Sequence, residues 1–171
     1  MNKLLYFSLL LTLIYFSCDG GIEPQPENLQ TGFGGKISFI GQWPDSVTRT
    51  HLVVFKNPLD SVKDFSIQNI RYISKEIPFG ISEYPYDSRD SAVLPEAGLR
   101  EFGDYAYVAV AQSAKQNVSF DRKDWFVVGL YFNAGDSTNP GVLQIPKNTF
   151  INGINIVCDF NNPPPQPPGG N

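Results

Sequence analysis

Residue types on which much enzyme chemistry depends are scarce in this 171-residue chain, which has one histidine, two cysteines and one methionine. A serine triad or a zinc site would have to use His51, which opens an apolar strand and which we interpret as a surface residue. Gly32, Gly34 and Gly35 precede a predicted strand and do not open a helix, so they form no phosphate-binding loop. The sequence therefore predicts no catalytic residue, no metal site, no cofactor and no enzymatic activity.

Basic residues are in the minority, with 13 Lys and Arg against 17 Asp and Glu and a formal net charge of −4. Nucleic-acid binding depends on clustered positive charge that neutralises phosphates. Docking on an anionic lipid surface has the same requirement. The chain has no long run of Lys or Arg, so we expect no nucleic-acid partner and no electrostatic attachment to a membrane.

Long apolar runs are also absent, except for residues 4–18, which follow Lys3 and contain no charged residue before Asp19. About 20 apolar residues are needed to span a bilayer as a helix, so this run is too short. A basic start, a short apolar centre and a small residue at the end are typical of a secretory signal peptide. We predict a signal peptide over residues 1–17. The alternatives are an uncleaved signal anchor, or ordinary signal cleavage elsewhere with Cys18 incidental.

The end of that run, Ser17-Cys18, resembles the lipobox of bacterial lipoproteins, although Tyr15 and Phe16 are bulkier than the residues which that family has there. The resemblance implies that Cys18 is acylated and becomes the N-terminus. Two acyl chains give stable anchoring where one is marginal. It also implies a lipid-anchored protein of the cell envelope, expected at the outer membrane. Asp19 leaves open whether the protein faces the periplasm or the cell surface.

Proline and glycine, by contrast, are abundant, with 14 and 15 residues, and they divide the chain. Residues 18–34 are polar and broken by Pro24, Pro26 and several glycines, which predicts a flexible tether. Residues 161–171 read NNPPPQPPGGN, which predicts a disordered, solvated tail. A single domain over residues 35–160 lies between these two segments.

Within that domain, short apolar or alternating segments separated by turn residues predict an antiparallel sandwich of about seven strands. The predicted strands are GGKISFIG, HLVVF, SIQNIRYISKE (residues 66–76), a short one within residues 84–93, GDYAYVAVAQ, WFVVGLYF and INIVCDF. No segment has the pattern of an amphipathic helix. The predicted fold class is therefore all-β.

Three of these strands carry more specific predictions. Alternation in GDYAYVAVAQ predicts that Tyr105 and Tyr107 share one face. Gly129, in the middle of an apolar strand, predicts a bulge or a close approach of another chain segment. Cys158 is expected in the core on the same strand face as Ile154, Ile156 and Phe160, because a lone thiol packs as a small apolar residue.

The order of GGKISFIG, HLVVFKN, LPEAGLREFGDYAYVAVA and INIVCDF resembles the carboxypeptidase regulatory-like domains, which have a transthyretin-like (prealbumin-like) sandwich. In this chain an insertion separates Leu94-Pro95 from Gly103-Asp104-Tyr105. The resemblance implies a Greek-key topology and a domain without catalytic residues. It also implies a structural or binding role.

Aromatic residues make up 13% of the chain, and aromatic rings can stack on sugar rings or fill a core. Candidates for stacking include Tyr72, Tyr84 and Tyr86, and the two tryptophans, Trp43 and Trp125, are the first candidates for ligand binding. Trp43 precedes a turn and is expected to be exposed. The leading hypothesis is a non-enzymatic envelope protein with an envelope-protein partner. The alternative is a glycan-binding module of an outer-membrane nutrient-uptake system.

A recurring Asp-Ser pair offers a further hypothesis. It occurs at Asp45-Ser46, Asp60-Ser61, Asp90-Ser91 and Asp136-Ser137, each followed by a small or apolar residue or by threonine. The pattern resembles the O-glycosylation motif of Bacteroidetes envelope proteins. Asp-Ser is also a common turn pair, so both interpretations stay open.

Overall fold

A computed structural model describes residues 30–170; the predicted signal peptide, Cys18 and most of the predicted tether lie outside the described residues. The strands are β1 (Gly32–Ile40), β2 (Arg49–Phe55), β3 (Ile70–Ile73), β4 (Glu83–Asp87), β5 (Gly103–Tyr105), β6 (Tyr107–Ser113), β7 (Phe126–Leu130), β8 (Leu143–Ile145), β9 (Phe150–Ile151) and β10 (Ile156–Asp159). Two 3₁₀ turns, Val62–Asp64 and Arg122–Asp124, are the helical elements in this part of the chain. Neither is long enough to cross a membrane. The prediction of an all-β protein is confirmed.

The main sheet has the strand order β3-β2-β6-β7-β10-β1-β4, with β9 paired to the start of β1 and with β5 and β8 forming a separate pair. Neighbouring strands are antiparallel except that β1 runs parallel to β10 and β9, while its pairing with β4 is antiparallel. The prediction of an antiparallel arrangement is therefore wrong at β1. Alternating burial along a strand shows which side chains face the core but carries no information on strand direction.

The sheet is curled around a buried inner cluster. This cluster joins side chains of β1 to side chains of β2, which lies four places away in the sheet, so the sheet must bend back on itself. The inner cluster consists of Phe33, Ile37, Phe39, Trp43, Leu52, Val54, Tyr72, Ile77, Ala92, Leu99, Tyr105, Val108, Val110, Val128, Leu143, Ile145, Ile154, Ile156 and Cys158.

β1 begins at Gly32, inside the segment predicted as a tether. The Phe33 side chain is fully buried, and its amide donates a 2.8 Å hydrogen bond to the Ser88 hydroxyl. Glycine disfavours strands, which is why the sequence pattern predicts a later start. Gly35 is nevertheless required, because a Cβ there would lie 2.6 Å from the Ile154 carbonyl carbon. The predicted domain boundary at residue 35 is therefore too late.

The predictions for Cys158 and Gly129 are confirmed. Cys158 has no exposed surface and packs with Ile154 and Ile156, as the alternation indicates. Val110 of β6 pairs with Gly129 of β7, and the register shifts directly after this pair, between Val110 and Ala111. This shift is a β-bulge. A Cβ at Gly129 would lie 2.5 Å from the Cys158 sulfur, so the thiol occupies the space that the glycine leaves.

The predicted strand GDYAYVAVAQ is interrupted at Ala106, so it forms β5 and β6. Tyr105 consequently joins the inner cluster and Tyr107 lies on the other face of the sheet. The prediction that the two tyrosines share a face is wrong. The Ala106 amide bonds to the Lys56 carbonyl at 3.2 Å, outside any strand pairing, and this contact between distant residues cannot be read from the alternating pattern.

A second apolar cluster covers the outer face of β2, β3, β6 and β7. This outer cluster consists of Val53, Phe55, Leu59, Ile70, Ile73, Tyr107, Ala109, Ala111, Trp125, Val127 and Leu130. The tail lies against it, with Pro167 buried and Gln166 half-buried. The prediction of a disordered, solvated tail is therefore wrong for residues 166–170, which the structure places in contact with the domain.

Candidate functional site

Trp43 does not form an exposed stacking platform. The side chain is 8% exposed, and its indole N–H donates to the Ile81 carbonyl at 3.1 Å. Its ring packs on Phe39 and Phe160, with centroids 4.6 and 5.2 Å away. The prediction that Trp43 is exposed is wrong, because the turn that carries it folds back over the inner cluster.

Trp125 is also buried, but in the outer cluster. It is 7% exposed, and its indole N–H donates to the Ser119 carbonyl at 2.7 Å. The ring meets His51 edge-on at a centroid distance of 5.9 Å. The two tryptophans therefore pack on opposite faces of the sheet and do not converge on one ligand.

The single imidazole and the Cys158 thiol are both removed from solvent. His51 is fully buried, its Nδ1 lies 2.9 Å from the Ser74 carbonyl, and Nε2 has no hydrogen-bond partner. Burial lowers the pKa of His51, so the ring is neutral at pH 7. Burial likewise raises the pKa of the Cys158 thiol, which disfavours the nucleophilic thiolate. The interpretation of His51 as a surface residue is wrong.

An open cleft of about 260 Å³ lies beside Trp125, at the ends of β6 and β7. Phe126, 41% exposed, gives it an apolar surface, and Lys123 and Asp124 give it charge. Asp124 is already occupied, because it accepts a 2.7 Å hydrogen bond from the Ser119 hydroxyl and lies 3.7 Å from the Lys115 ammonium. The cleft therefore has one carboxylate that supports the fold and no second carboxylate for acid–base chemistry.

A second cleft, of about 210 Å³, lies between β3 and β4, the two outer strands of the main sheet. It is lined by Tyr72, Tyr84 and Tyr86 together with Asp87 and Asp90. We refer to it as the tyrosine cleft. It exists because the curl brings the two sheet edges towards each other without joining them along their length. Of the aromatic candidates in the sequence, these three are the ones that the structure brings together.

Two phenols of the tyrosine cleft, those of Tyr72 and Tyr86, are neutral hydrogen-bonding groups. Burial raises the pKa of Tyr72 and of Tyr86, so both stay protonated at neutral pH. Tyr86 donates to the Ile154 carbonyl at 2.5 Å. The hydrogen bond from Arg89 holds the pKa of Asp87 below its usual range, at a nitrogen–oxygen distance of 2.6 Å. Asp87 is therefore held in an ion pair, whereas Asp90 is an exposed carboxylate at the edge of the cleft.

The four Asp-Ser serines, Ser46, Ser61, Ser91 and Ser137, are exposed and lie outside the strands. Two of the pairs sit beside turn-forming hydrogen bonds: Asp64 accepts from the Ser61 amide at 2.7 Å, and Asp136 accepts from the Thr138 amide at 2.8 Å. Their exposure fits both a turn and a modification site, so glycosylation of these serines stays a prediction. Between residues 30 and 170, no three His, Cys, Asp or Glu side chains are placed to hold a metal ion.

Arg122 is a buried cation that the sequence does not single out, because FDRKDW has the composition of a surface turn. It is 5% exposed, and its guanidinium donates to the carbonyl of Trp125 and, at 3.0 Å, to that of Pro167. Nε has no partner, and burial lowers the pKa of the group. Burying a charge is costly unless it is well bonded, so the carbonyl of the tail is part of what stabilises Arg122.

Comparisons of the chain with protein-family models, with curated proteins and with solved structures find no match. A functional assignment therefore depends on the motifs of the sequence and on the geometry of residues 30–170. Three features of that geometry bear on it: the burial of both tryptophans, the tyrosine cleft, and the attachment of the tail to the outer cluster.

Proposed function

We propose that the chain is a non-enzymatic, lipid-anchored protein of the cell envelope, in which acyl chains on Cys18 hold the protein in a membrane. The observation that carries this proposal is the apolar run of residues 4–18, which ends in Ser17-Cys18 after a single basic residue. The β-domain then serves a structural or binding role towards an envelope partner. The outer membrane is the proposed location.

The burial of the other cysteine, Cys158, supports acylation of Cys18. Cys158 is fully buried behind the bulge at Gly129 and is a free thiol. A disulfide requires its two Cα atoms to lie within about 7 Å of each other, and a thiol enclosed by the core is not open to such a partner. Cys18 is therefore left free for attachment of lipid.

Two features support the absence of catalysis. The one imidazole, that of His51, is enclosed and bonded to a backbone carbonyl, so it cannot reach a substrate proton. Of the three carboxylates in the two clefts, Asp87 and Asp124 are held by a neighbouring arginine and serine, and Asp90 has no imidazole or thiol beside it in its cleft. A domain of this kind acts through its surface.

The proposal extends to the carboxypeptidase regulatory-like, transthyretin-like fold. Its support is that all four motifs of the resemblance contain strands of the main sheet, namely β1, β2, β6 and β10. The parallel pairing of β1 with β10 departs from an all-antiparallel sandwich. The Greek-key topology therefore stays part of the proposal.

Replacement of the acylated cysteine tests the anchor. Wild-type protein is expected in the membrane fraction and in the detergent phase on phase separation, whereas Cys18→Ala is expected in the soluble fraction, because its acyl chains are absent. Intact-mass measurement checks the modification directly. Cys158→Ala is the matched control and should stay membrane-bound. Retention of Cys18→Ala in the membrane with residues 1–17 uncleaved would support the signal anchor instead.

A second candidate function, glycan binding, is favoured by the tyrosine cleft. The burial of Trp43 and Trp125 removes the residues on which this alternative first depended. Tyr84 and Tyr86, which are half-buried, replace them, since aromatic faces beside polar groups are suited to sugar rings. Tyr72 also lines the cleft but is 2% exposed, so it supports the two rings and is not a stacking face. The site therefore moves from the tryptophans to the gap between β3 and β4.

Loss of one ring tests the glycan alternative. If an oligosaccharide binds in the tyrosine cleft, Tyr84→Ala should weaken its binding about tenfold, which corresponds to about 1.4 kcal/mol. Tyr131→Ala is the matched control, because Tyr131 is also half-buried against the inner cluster but does not line the cleft. Isothermal titration calorimetry against a panel of neutral oligosaccharides gives the affinities. Equal weakening by both substitutions would place the ligand elsewhere or indicate a general loss of stability.

A further inference from the structure

The tail lies in a groove on the outer face of the sheet. One wall is the 3₁₀ turn Val62–Asp64, the other is the 3₁₀ turn Arg122–Asp124, and the floor is the start of β7 at Val127. We call this the outer groove. The groove is occupied by residues 166–170 of the same chain, which read Gln-Pro-Pro-Gly-Gly.

Gln166 takes the place of a strand residue. β10 pairs with β7 only at Leu130 and Gly129 and then turns away, so it does not reach Val127. The Val127 amide donates to the Gln166 side-chain oxygen at 2.8 Å, and the Gln166 side-chain nitrogen donates to the Val127 carbonyl at 2.8 Å. A primary amide has one acceptor and one donor side by side, as a peptide group has. Asparagine is too short for the same reach, and alanine offers neither bond.

The residues after Gln166 also fit the groove specifically. Arg122, which has no carboxylate within salt-bridge distance among the described residues, donates to the Pro167 carbonyl at 3.0 Å. A Cβ on Gly169 would lie 2.8 Å from the Val62 side chain, and a Cβ on Gly170 would overlap the Arg122 guanidinium. The groove therefore selects a glutamine, a carbonyl one residue later and two residues without side chains.

The connection between the sheet and the groove makes few contacts. Asn161 donates its amide to the Asp159 side chain at 3.0 Å, and residues 161–165 are mainly exposed. The hydrogen bonds that join the tail to the groove belong to Gln166 and Pro167 and go to the Val127 backbone and Arg122, and Gly169 lies against the Val62 side chain. Nothing in these contacts depends on whether the segment comes from the same chain.

We propose that the outer groove is a peptide-binding site for an extended Gln-Pro-Pro-Gly-Gly segment, and that the tail of a second copy of this chain can occupy it in exchange for the chain's own tail. Every copy supplies one groove and one segment. Reciprocal exchange between two copies therefore fills both grooves, satisfies the same backbone groups and closes the assembly with two-fold symmetry.

A cut chain tests the peptide-binding site. A protease site is inserted after Asn162 in the full chain, the folded protein is cut, and the free tail is removed by dialysis. A fluorescent peptide with the sequence of residues 163–170 is expected to bind saturably. The Gln166→Ala peptide should need at least about ten times the concentration to displace it, because both bonds to Val127 are lost. The Pro168→Ala peptide is the matched control, since Pro168 is exposed, and should compete within about twofold.

Each result of the peptide-binding experiment either supports or overturns the peptide-binding site. Absence of saturable binding to a cut chain that keeps its circular dichroism spectrum would overturn it, as would equal competition by the Gln166→Ala peptide. If cutting unfolds the chain, excess peptide is expected to restore the thermal transition. Failure of the peptide to do so would also overturn the peptide-binding site.

Disulfide trapping tests whether two copies of the chain exchange their tails. In a Cys18→Ala background, a chain with Val62→Cys is mixed with a chain with Gly169→Cys under oxidising conditions. A covalent heterodimer is expected, because a Cβ at position 169 meets the Val62 side chain when a tail is in a groove, and the cysteine at position 62 replaces that side chain. Gly153→Cys with Val62→Cys is the matched control. It should give no heterodimer, since no side chain, Val62 included, lies within 4 Å of a Cβ at Gly153. If Val62→Cys and Gly169→Cys cross-link within one chain but give no heterodimer, exchange between copies is rejected.

Discussion

Phe33→Ala is expected to lower the free energy of unfolding by about 3–5 kcal/mol, the usual cost of truncating a buried phenylalanine. The Phe33 ring is fully buried and meets Tyr72 and Tyr86 edge-on, with centroid distances of 6.3 and 5.7 Å. It thereby joins β1 to the strands at both edges of the sheet. Urea denaturation followed by tryptophan fluorescence measures the loss.

The same substitution distinguishes a domain that begins at residue 35 from one whose first strand begins at Gly32. A flexible tether over residues 18–34 would make Phe33→Ala silent, whereas a strand from Gly32 makes it among the most damaging substitutions. Phe102→Ala is the matched control, because Phe102 is 61% exposed and should change stability by less than about 1 kcal/mol. Equal, small effects at both positions would contradict the placement of Phe33 in the core.

Gly35→Ala is expected to cost about 3 kcal/mol, the upper end of the range for overpacking, because the added methyl group meets main-chain atoms. Its Cβ would lie 2.6 Å from the carbonyl carbon and 3.0 Å from the amide nitrogen of Ile154. A flexible side chain could move away from such a contact, but the backbone next to β10 cannot move without breaking its pairing with β1. Thermal and urea unfolding measure the cost.

Gly80→Ala provides the control for Gly35→Ala. Gly80 has nothing within 4 Å of the added carbon, but its φ of +83° strains any residue with a Cβ, which costs about 1–2 kcal/mol. The comparison therefore separates steric overlap from the loss of glycine's conformational freedom. A loss at Gly35 no greater than that at Gly80 would show that β1 and the Ile154 backbone do not approach as closely as the structure indicates.

Local patterns predicted those parts of the fold that depend on neighbouring residues. Alternation along Ile37 and Phe39, and along Ile156 and Cys158, places these side chains in the core, and the structure confirms it. β-Propensity also predicted β3, although the strand is shorter than residues 66–76. The bulge at Gly129 could also be predicted, because a glycine inside an apolar strand often marks a bulge or a close approach of another chain segment.

The candidate site could be predicted only in part, since it depends on segments far apart in the chain. Aromatic composition pointed to tryptophans and tyrosines together, and nothing in the sequence separates those that fill the core from those that line a cleft. Trp43 and Trp125 are enclosed because turns fold over them. The tyrosine cleft forms because β3 and β4, separated in sequence, become the opposing edges of one curled sheet.

The sequence by itself determined the strand periodicity, the scarcity of catalytic side chains and the signal-like run that ends at Cys18, because each is a property of residues close together in the chain. Only the tertiary structure decided that β1 runs parallel to β10, that Arg122 and His51 are buried, and that Gln166 completes the edge of β7. These features depend on contacts between segments that are separated in the sequence. A proline-rich segment whose composition predicts a solvated tail can therefore still supply the hydrogen bonds that a strand leaves unmade.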